Sequence, residues 1–254
     1  MKTRLTLVIT AGLLLVLALL PLYARWLEEP FLLTFSTRAL VLALAALSLN
    51  IVLGFGGMVS FGHALYLGLG AYSVGILASH GVDNGALQLL ITILLCTVVG
   101  LATGWVSLRT SGIGFIMITL AFAQMFYYLF VSLKQYGGDD GLSISLRSNL
   151  VGLNMGAPLT LYYTAFACVL AVVVWTQHMV QAPFGMVLQA CRMNERRMNA
   201  LGFHTLRYKL SAYVLSCVIA GVAGFLYANL TGYASPAYLA WTLSGELIVM
   251  VVLG

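Results

Sequence analysis

Long apolar runs, each about the length a helix needs to cross a bilayer, restrict this chain more than any other feature of its sequence. Read for such runs, the 254 residues give seven complete candidate spans: 5–22, 36–53, 58–79, 86–107, 113–133, 158–179 and 210–230. An eighth run starts near residue 243 and continues to Gly254. Only 7% of the residues are charged and 61% are hydrophobic, whereas a soluble domain carries about 25% charged residues. Such a surface faces lipid, which excludes a soluble enzyme, a disordered chain and a secreted disulfide scaffold. Membrane-spanning strands would alternate polar and apolar residues over about ten positions. These runs are apolar on all sides, so the expected fold class is all-α: a polytopic transmembrane helix bundle of about eight spans. The last is expected to be incomplete, because Leu243 to Gly254 gives roughly 18 Å of helix against a hydrocarbon core of roughly 30 Å.

The first run follows Lys2 and Arg4, as a secretory signal would. However, Leu22-Tyr23-Ala24 is a poor cleavage site, and Pro21 and Arg25 read as a helix end, so this span is expected to be retained. Counting Lys and Arg in alternate loops puts Lys2, Arg4, Arg109, Arg192, Arg196, Arg197, Arg207 and Lys209 on one side, with Arg25, Arg38, Lys134 and Arg147 on the other. The positive-inside rule then makes the N-terminus cytoplasmic. Cys96, Cys168, Cys191 and Cys217 form no C-x-x-C pair, and three of them lie inside apolar runs, where they read as small buried hydrophobes. No metal site is expected, since His63 has no second histidine at helical spacing and His80, His178 and His204 fall in loop or boundary regions.

Four segments carry more than apolarity. Asn50–Tyr72 (NIVLGFGGMVSFGHALYLGLGAY) holds Gly54, Gly56, Gly57, Gly62, Gly68 and Gly70 among Asn50, Ser60 and His63. Glycine costs about 1 kcal/mol in a helix and is accepted in membranes where backbones touch or a helix breaks. Gly54–Gly57 is therefore expected to be a turn or break, and Gly62, Gly68 and Gly70 either pack closely or open a path. His63 has no carboxylate in the neighbouring spans, so a hydrogen-bonded structural or pathway role fits better than proton carriage. In Arg109–Tyr128, the points Thr119, Gln124 and Tyr127 make a loose polar stripe that fits a pathway or interhelical hydrogen bonds equally well. The loop after Lys134 opens with Gly137-Gly138-Asp139-Asp140-Gly141; it lacks the twelfth-position Glu of a calcium loop and reads as a connector or a docking turn. Finally, Gln181–Lys209 contains an amphipathic stretch from Phe184 to Leu201, with Gly202 as its stop, expected to lie on the inner face as a docking helix.

Together these segments resemble the permease subunits of ABC importers for branched-chain amino acids, the leucine/isoleucine/valine M-type family, which is related to urea importer permeases. The motifs are GFGGMVSFGHALYLGLGAY, TLAFAQMFYY with GGDDGL, and RMNERRMNALGFHTLRYKLSAYVLS. The resemblance implies a single transmembrane permease domain over 1–254 in a bacterial inner membrane, with an ATPase-docking loop at 181–209. Its implied partners are a second related permease, two cytoplasmic ATPases and an external substrate-binding protein. It assigns ATPase coupling to Arg192, Asn194, Glu195, Arg196, Ala200, Leu201 and Gly202. The translocation path is expected at Asn50, Gly54, Gly57, Ser60, His63, Gly68, Gly70, Thr119, Gln124 and Tyr127, and binding-protein docking at Asp139 and Asp140. The resemblance also implies further helices beyond the position of Gly254, so the C-terminal helices of the family are expected to be absent from residues 1–254.

The residues themselves agree on energy supply. There is no G-x-x-x-x-G-K-[ST] sequence, so ATP and Mg are expected on partner ATPases and no cofactor in this chain. A gradient-driven secondary transporter is a competing reading, but no intramembrane acid–base chain precedes Glu246. An intramembrane enzyme would need more than Ser60 and His63, which have no orienting acid, so no catalytic residue is expected. An apolar path suits Leu, Ile or Val, while urea or a short amide remains the alternative substrate class within the family.

Overall fold

The computed structural model describes residues 16–23, 30–150 and 153–253. Residues 16–23 are helical (α1); most of the candidate span 5–22 lies outside the described residues. The helices that follow are α2 (Pro30–Asn50), α3 (His63–Ser79), α4 (Gly85–Ser107), α5 (Ile113–Ser132) and α6 (Pro158–Gln181). Then come two short helices, α7 (Pro183–Met193) and α8 (Glu195–Ala200), the long α9 (Thr205–Thr231) and α10 (Trp241–Leu253). Among the described residues, five helices are long and apolar enough to cross a membrane: α2 with its continuation to Phe55, α4, α5, α6 and α9. Leu90, Leu94 and Val98 on α4 and Met117, Met125 and Tyr128 on α5 stay exposed along single faces, as lipid-facing positions do.

Local chemistry sets the ends. Asn84 caps α4, its Oδ1 accepting from the amides of Ala86 and Leu87 at 3.1 and 3.4 Å. Proline opens α6 and α7 at Pro158 and Pro183, where its missing N–H costs nothing. Gly232, at φ +67°, closes α9 in the left-handed conformation.

α9 is the central helix, packed against α2, α3, α4 and α6. Where it crosses α3 the contact is backbone to backbone: a Cβ added at Gly70 would lie 2.2 Å from the carbonyl oxygen of Gly221. Small residues are what make such an approach possible in a membrane. Buried hydroxyls bind the same helices together. Tyr66 Oη on α3 meets Thr103 Oγ1 on α4 at 2.6 Å and Tyr213 Oη on α9 at 3.1 Å, and Ser73 meets Thr92 at 2.5 Å.

The expected break at Gly54–Gly57 is present and longer than the sequence indicated. α2 continues as a widened π-helical turn, Ile51–Phe55, with the Gly56 amide bonded to the Ile51 carbonyl at 3.2 Å. Gly57 then takes φ +66°, and regular helix resumes only at His63. The candidate span 58–79 therefore begins five residues late, because 58–62 run as irregular backbone buried among helices.

A second irregular segment follows α9. Tyr233–Ala234 pairs antiparallel with Leu142–Ser143 of the α5–α6 loop, and a 3-10 turn, Pro236–Leu239, leads into α10. Leu239 reaches the backbone of Gly68 on α3, and Ser244 Oγ accepts from the Ala64 amide at 2.9 Å. The chain thus descends along α3, antiparallel to it, and α10 runs in the same sense as α2. α10 has 13 described residues. Its first turn lies at the depth of α3's first turn, where Ser244 meets Ala64, and Met250 and Val251 border an open groove along α2.

Candidate functional site

Three places gather the polar chemistry: the α7–α8 face, the irregular segment 51–62 above it, and an open groove along α2.

On the α7–α8 face, the amphipathic stretch is two helices rather than the single expected one. The chain breaks at Asn194, whose extended backbone ends α7 and whose Oδ1 accepts from the Arg197 amide at 3.0 Å to cap α8. Glu195 turns inward: Oε2 pairs with Lys209 Nζ at 2.6 Å, and Oε1 accepts from Thr205 Oγ1 at 3.1 Å. Asn199 accepts from the same hydroxyl at 3.0 Å. Glu195 therefore fastens α8 to the start of α9. Burial pushes the thiol of neighbouring Cys191 above its ordinary pKa, with Lys209 opposing that shift and Glu195 adding to it. Arg196, Ala200, Leu201 and Gly202 are exposed, Gly202 at φ +90°. Sequence reasoning missed Met193, which is 89% exposed, and Phe203. Met193 ends α7 and Phe203 lies in the turn between α8 and α9. Open notches of about 380 and 540 Å³ flank Gly202–His204.

Arg192 is exposed, but its side chain reaches back onto the break. Its guanidinium donates to the Gly54 carbonyl in the π turn, and its side-chain carbons pack on Gly57, where an added Cβ would lie 2.6 Å from Cγ. α7 is therefore latched directly to the break.

The far end of that break holds four helices. The Phe61 amide donates to Thr119 Oγ1 on α5 at 3.2 Å. His63 Nε2 meets Ser48 Oγ on α2 at 2.7 Å and Ser216 Oγ on α9 at 3.3 Å, while the Ala64 amide reaches Ser244 on α10. Ser60 Oγ accepts from the Gly62 amide at 3.3 Å. Ser60, His63 and Thr119, expected along a path, are brought together as a fully buried junction. Gly68 and Gly70 serve close packing against Leu239 and Gly221. Gln124 and Tyr127 are half-buried on α5.

Of the expected path residues, Asn50 lines an open surface. It sits at one end of a groove of about 710 Å³ between α2 and α10, floored by Leu42, Ala46, Leu47 and Val251, with Arg38 at the other end. On the opposite face from α7–α8, Asp139 and Asp140 are exposed at the tip of a turn whose flanking Gly138 and Gly141 have positive φ. Behind it a satisfied cluster anchors the loop: the Ser148 amide donates to Asn229 Oδ1 at 3.1 Å, its hydroxyl donates to Gln88, and Arg147 donates to the Asn229 carbonyl. Among the described residues no group of His, Cys, Asp and Glu is arranged to hold a metal ion.

Several apolar membrane-length helices, two irregular intramembrane segments and a latched helix pair at one face define a multi-pass helical membrane protein. The model of the branched-chain amino acid transport system permease component matches residues 31–254, and the chain belongs to that family. It is 26% identical over 271 residues to the high-affinity branched-chain amino acid transport system permease protein LivM of Escherichia coli, covering 95% of this chain and 63% of that one. It is 23% identical over 223 residues to the probable branched-chain amino acid transport permease protein LivM of Methanocaldococcus jannaschii, covering 74% and 64%. It is 24% identical over 231 residues to the LivH permease of Escherichia coli, covering 84% and 74%. The chain thus spans less than two thirds of the length of the LivM relatives it matches. No solved structure matches significantly.

Proposed function

We propose that the chain is the membrane-spanning permease subunit of an ATP-driven importer for branched-chain amino acids, working with a second related permease, two ATPases and an external binding protein. The observation that carries this reading is the latch from α7 to the π turn, because it gives a surface helix pair direct mechanical access to an intramembrane break. The α7–α8 face is the cytoplasmic one, consistent with its excess of Lys and Arg. Met193, Leu201 and Phe203, ringed by Arg196 and Arg197, fit the pattern of an apolar anchor with a polar rim that a partner's groove accepts. ATP and Mg belong to the ATPases docked there.

When the ATPases close, α8 moves with α9, since Glu195 binds Lys209 and Thr205, and α7 moves with them because it packs against both. Arg192 carries that movement to Gly54 and Gly57. The buried junction at Ser60–Ala64 passes it to α2, α5, α9 and α10, so that the groove wall on α2 shifts relative to the facing permease. Asp139 and Asp140 present carboxylates to the binding protein on the outer side.

The test is uptake of labelled leucine into vesicles that hold the complete system. Uptake that requires ATP and the binding protein, and survives an ionophore, is the expected result. Uptake collapsed by the ionophore and indifferent to ATP would overturn the reading in favour of a gradient-driven carrier. ATP-driven uptake of urea but not leucine would move the substrate to the amide class.

A further inference from the structure

We infer that the notch between the end of α4 and the start of α9 holds the headgroup of an acidic phospholipid from the cytoplasmic leaflet, whose acyl chains lie along α4. The site rests on α4 crossing the membrane with the α7–α8 face inside, as in the importer reading, and not on the solute carried. The notch, about 540 Å³, is bordered by Trp105 on α4 and by His204, Leu206 and Arg207 at the start of α9. Gly202 and Phe203, part of the face offered to the ATPases, also border it. Arg109 joins the cationic ring, its guanidinium 5.1 Å from the centre of the Trp105 ring.

Charge and shape agree on the occupant. Arg109, His204 and Arg207 are exposed, and neither arginine forms an ion pair among the described residues. No Asp or Glu borders the notch, and Glu195, the acid of the α7–α8 face, is held by Lys209 at 2.6 Å. Guanidinium forks match the oxygens of a phosphate, and basic clefts between membrane helices on the cytoplasmic side accept acidic headgroups. The surface above the notch points to a lipid. Leu94, Val98, Leu101 and Trp105 follow one another at spacings of four, three and four, hence on one face of α4, and all four are exposed. They extend over roughly 16 Å of helix, half of the roughly 30 Å hydrocarbon core. The stripe therefore has the depth of one leaflet, and it ends at a tryptophan, a residue enriched at headgroup level. A free phosphate or an acidic peptide meets the cations but leaves this stripe bare. A choline headgroup brings a cation of its own to the two arginines.

The complete chain with its partners is reconstituted into vesicles of equal phosphatidylglycerol and phosphatidylcholine and released into mild detergent. The phospholipid it retains is then counted by native mass spectrometry, for the unmodified chain and for the double variant Arg109→Gln, Arg207→Gln, each checked for assembly by co-purification. The expected result is that phosphatidylglycerol is retained over phosphatidylcholine at least threefold, and that the double variant loses one phosphatidylglycerol per chain. Equal retention of the two lipids, or a double variant that holds as much phosphatidylglycerol as the unmodified chain, overturns the inference and leaves the importer reading standing. Phosphatidylglycerol held only after the ATPases are stripped away overturns it in favour of a partner surface. Failure of ATP-driven leucine uptake overturns the importer reading and leaves this retention as it is. A second measurement leaves the charges intact: the fluorescence lost in Trp105→Phe reports Trp105 alone. Phosphatidylglycerol with brominated chains is expected to quench that fluorescence at least twofold more than brominated phosphatidylcholine at equal content. Equal quenching overturns the inference.

Discussion

At Gly224 an added Cβ would stand 2.0 Å from the carbonyl oxygen of Leu67, and at Gly70 it would stand 2.2 Å from that of Gly221. Neither oxygen belongs to a side chain that can swing aside, so the α3–α9 crossing must widen to admit a methyl group. Gly224→Ala and Gly70→Ala are each expected to cost about 1–3 kcal/mol, read as a lowered Tm of the detergent-solubilised chain. Gly245→Ala is the control: its Cβ would meet nothing nearer than 4.0 Å, and no loss is expected. At Cys191 burial raises the thiol pKa, so less thiolate is present at a given pH than in an ordinary cysteine. Its alkylation at pH 8 is expected to lag well behind that of the denatured chain; equal rates would contradict the packing of α7. The sequence singled out His63 as a hydrogen-bonded structural or pathway residue; its Nε2 is hydrogen-bonded, while its buried Nδ1 has no partner among the described residues. Its partners Ser48 and Ser216 come from two other helices, and no local pattern reveals such a junction. Glu195 was legible as special but not in direction: its pairing with Lys209 spans a loop and a helix start, so it binds the face together rather than decorating it.

At the scale of elements, the break after α2 and the helix pair α7–α8 form one mechanical unit through Arg192. Arg192→Ala removes the donor to Gly54. Gly57→Ala forces a β-carbon into Arg192 at a backbone angle of φ +66°. Each variant is expected to cut ATP-driven uptake at least tenfold while the ATPases remain bound, measured by transport and co-purification on the same preparation. Uptake at the unmodified rate in both would show the latch to be ornamental. The docking surface predicts a different failure: Met193→Ser with Phe203→Ser is expected to weaken ATPase binding by on the order of 2 kcal/mol, read as loss of co-purifying ATPase from a chain that still folds. The glycine density of 54–70 announced a break, and the periodicity of 184–201 announced an amphipathic surface. Neither showed where regular helix resumes. That is decided at His63 and at Asn194, by hydrogen bonds to Ser48 in one case and to the chain's own Arg197 amide in the other.

For the whole molecule, apolarity alone was enough to read an all-α membrane bundle, and α4, α5 and α6 lie within two residues of the spans read from the sequence. Depth was not legible. Tyr233–Ala240 falls between two candidate apolar runs, yet Leu239 packs on Gly68 inside the bundle, and so α10 begins partway down. The open groove was equally hidden: of the residues the sequence proposed for a path, Asn50 lies on that groove, while Gly68 and Gly70 pack against Leu239 and Gly221. The account's central claim, a permease driven by separate ATPases docked on α7–α8, is tested most directly by purifying the complete chain from its native membrane and identifying what comes with it. The account predicts two ATPases carrying G-x-x-x-x-G-K-[ST] sequences and a second, related permease, with the ATPases missing from the Met193→Ser, Phe203→Ser preparation. A lone homo-oligomer that takes up substrate without ATP would contradict it.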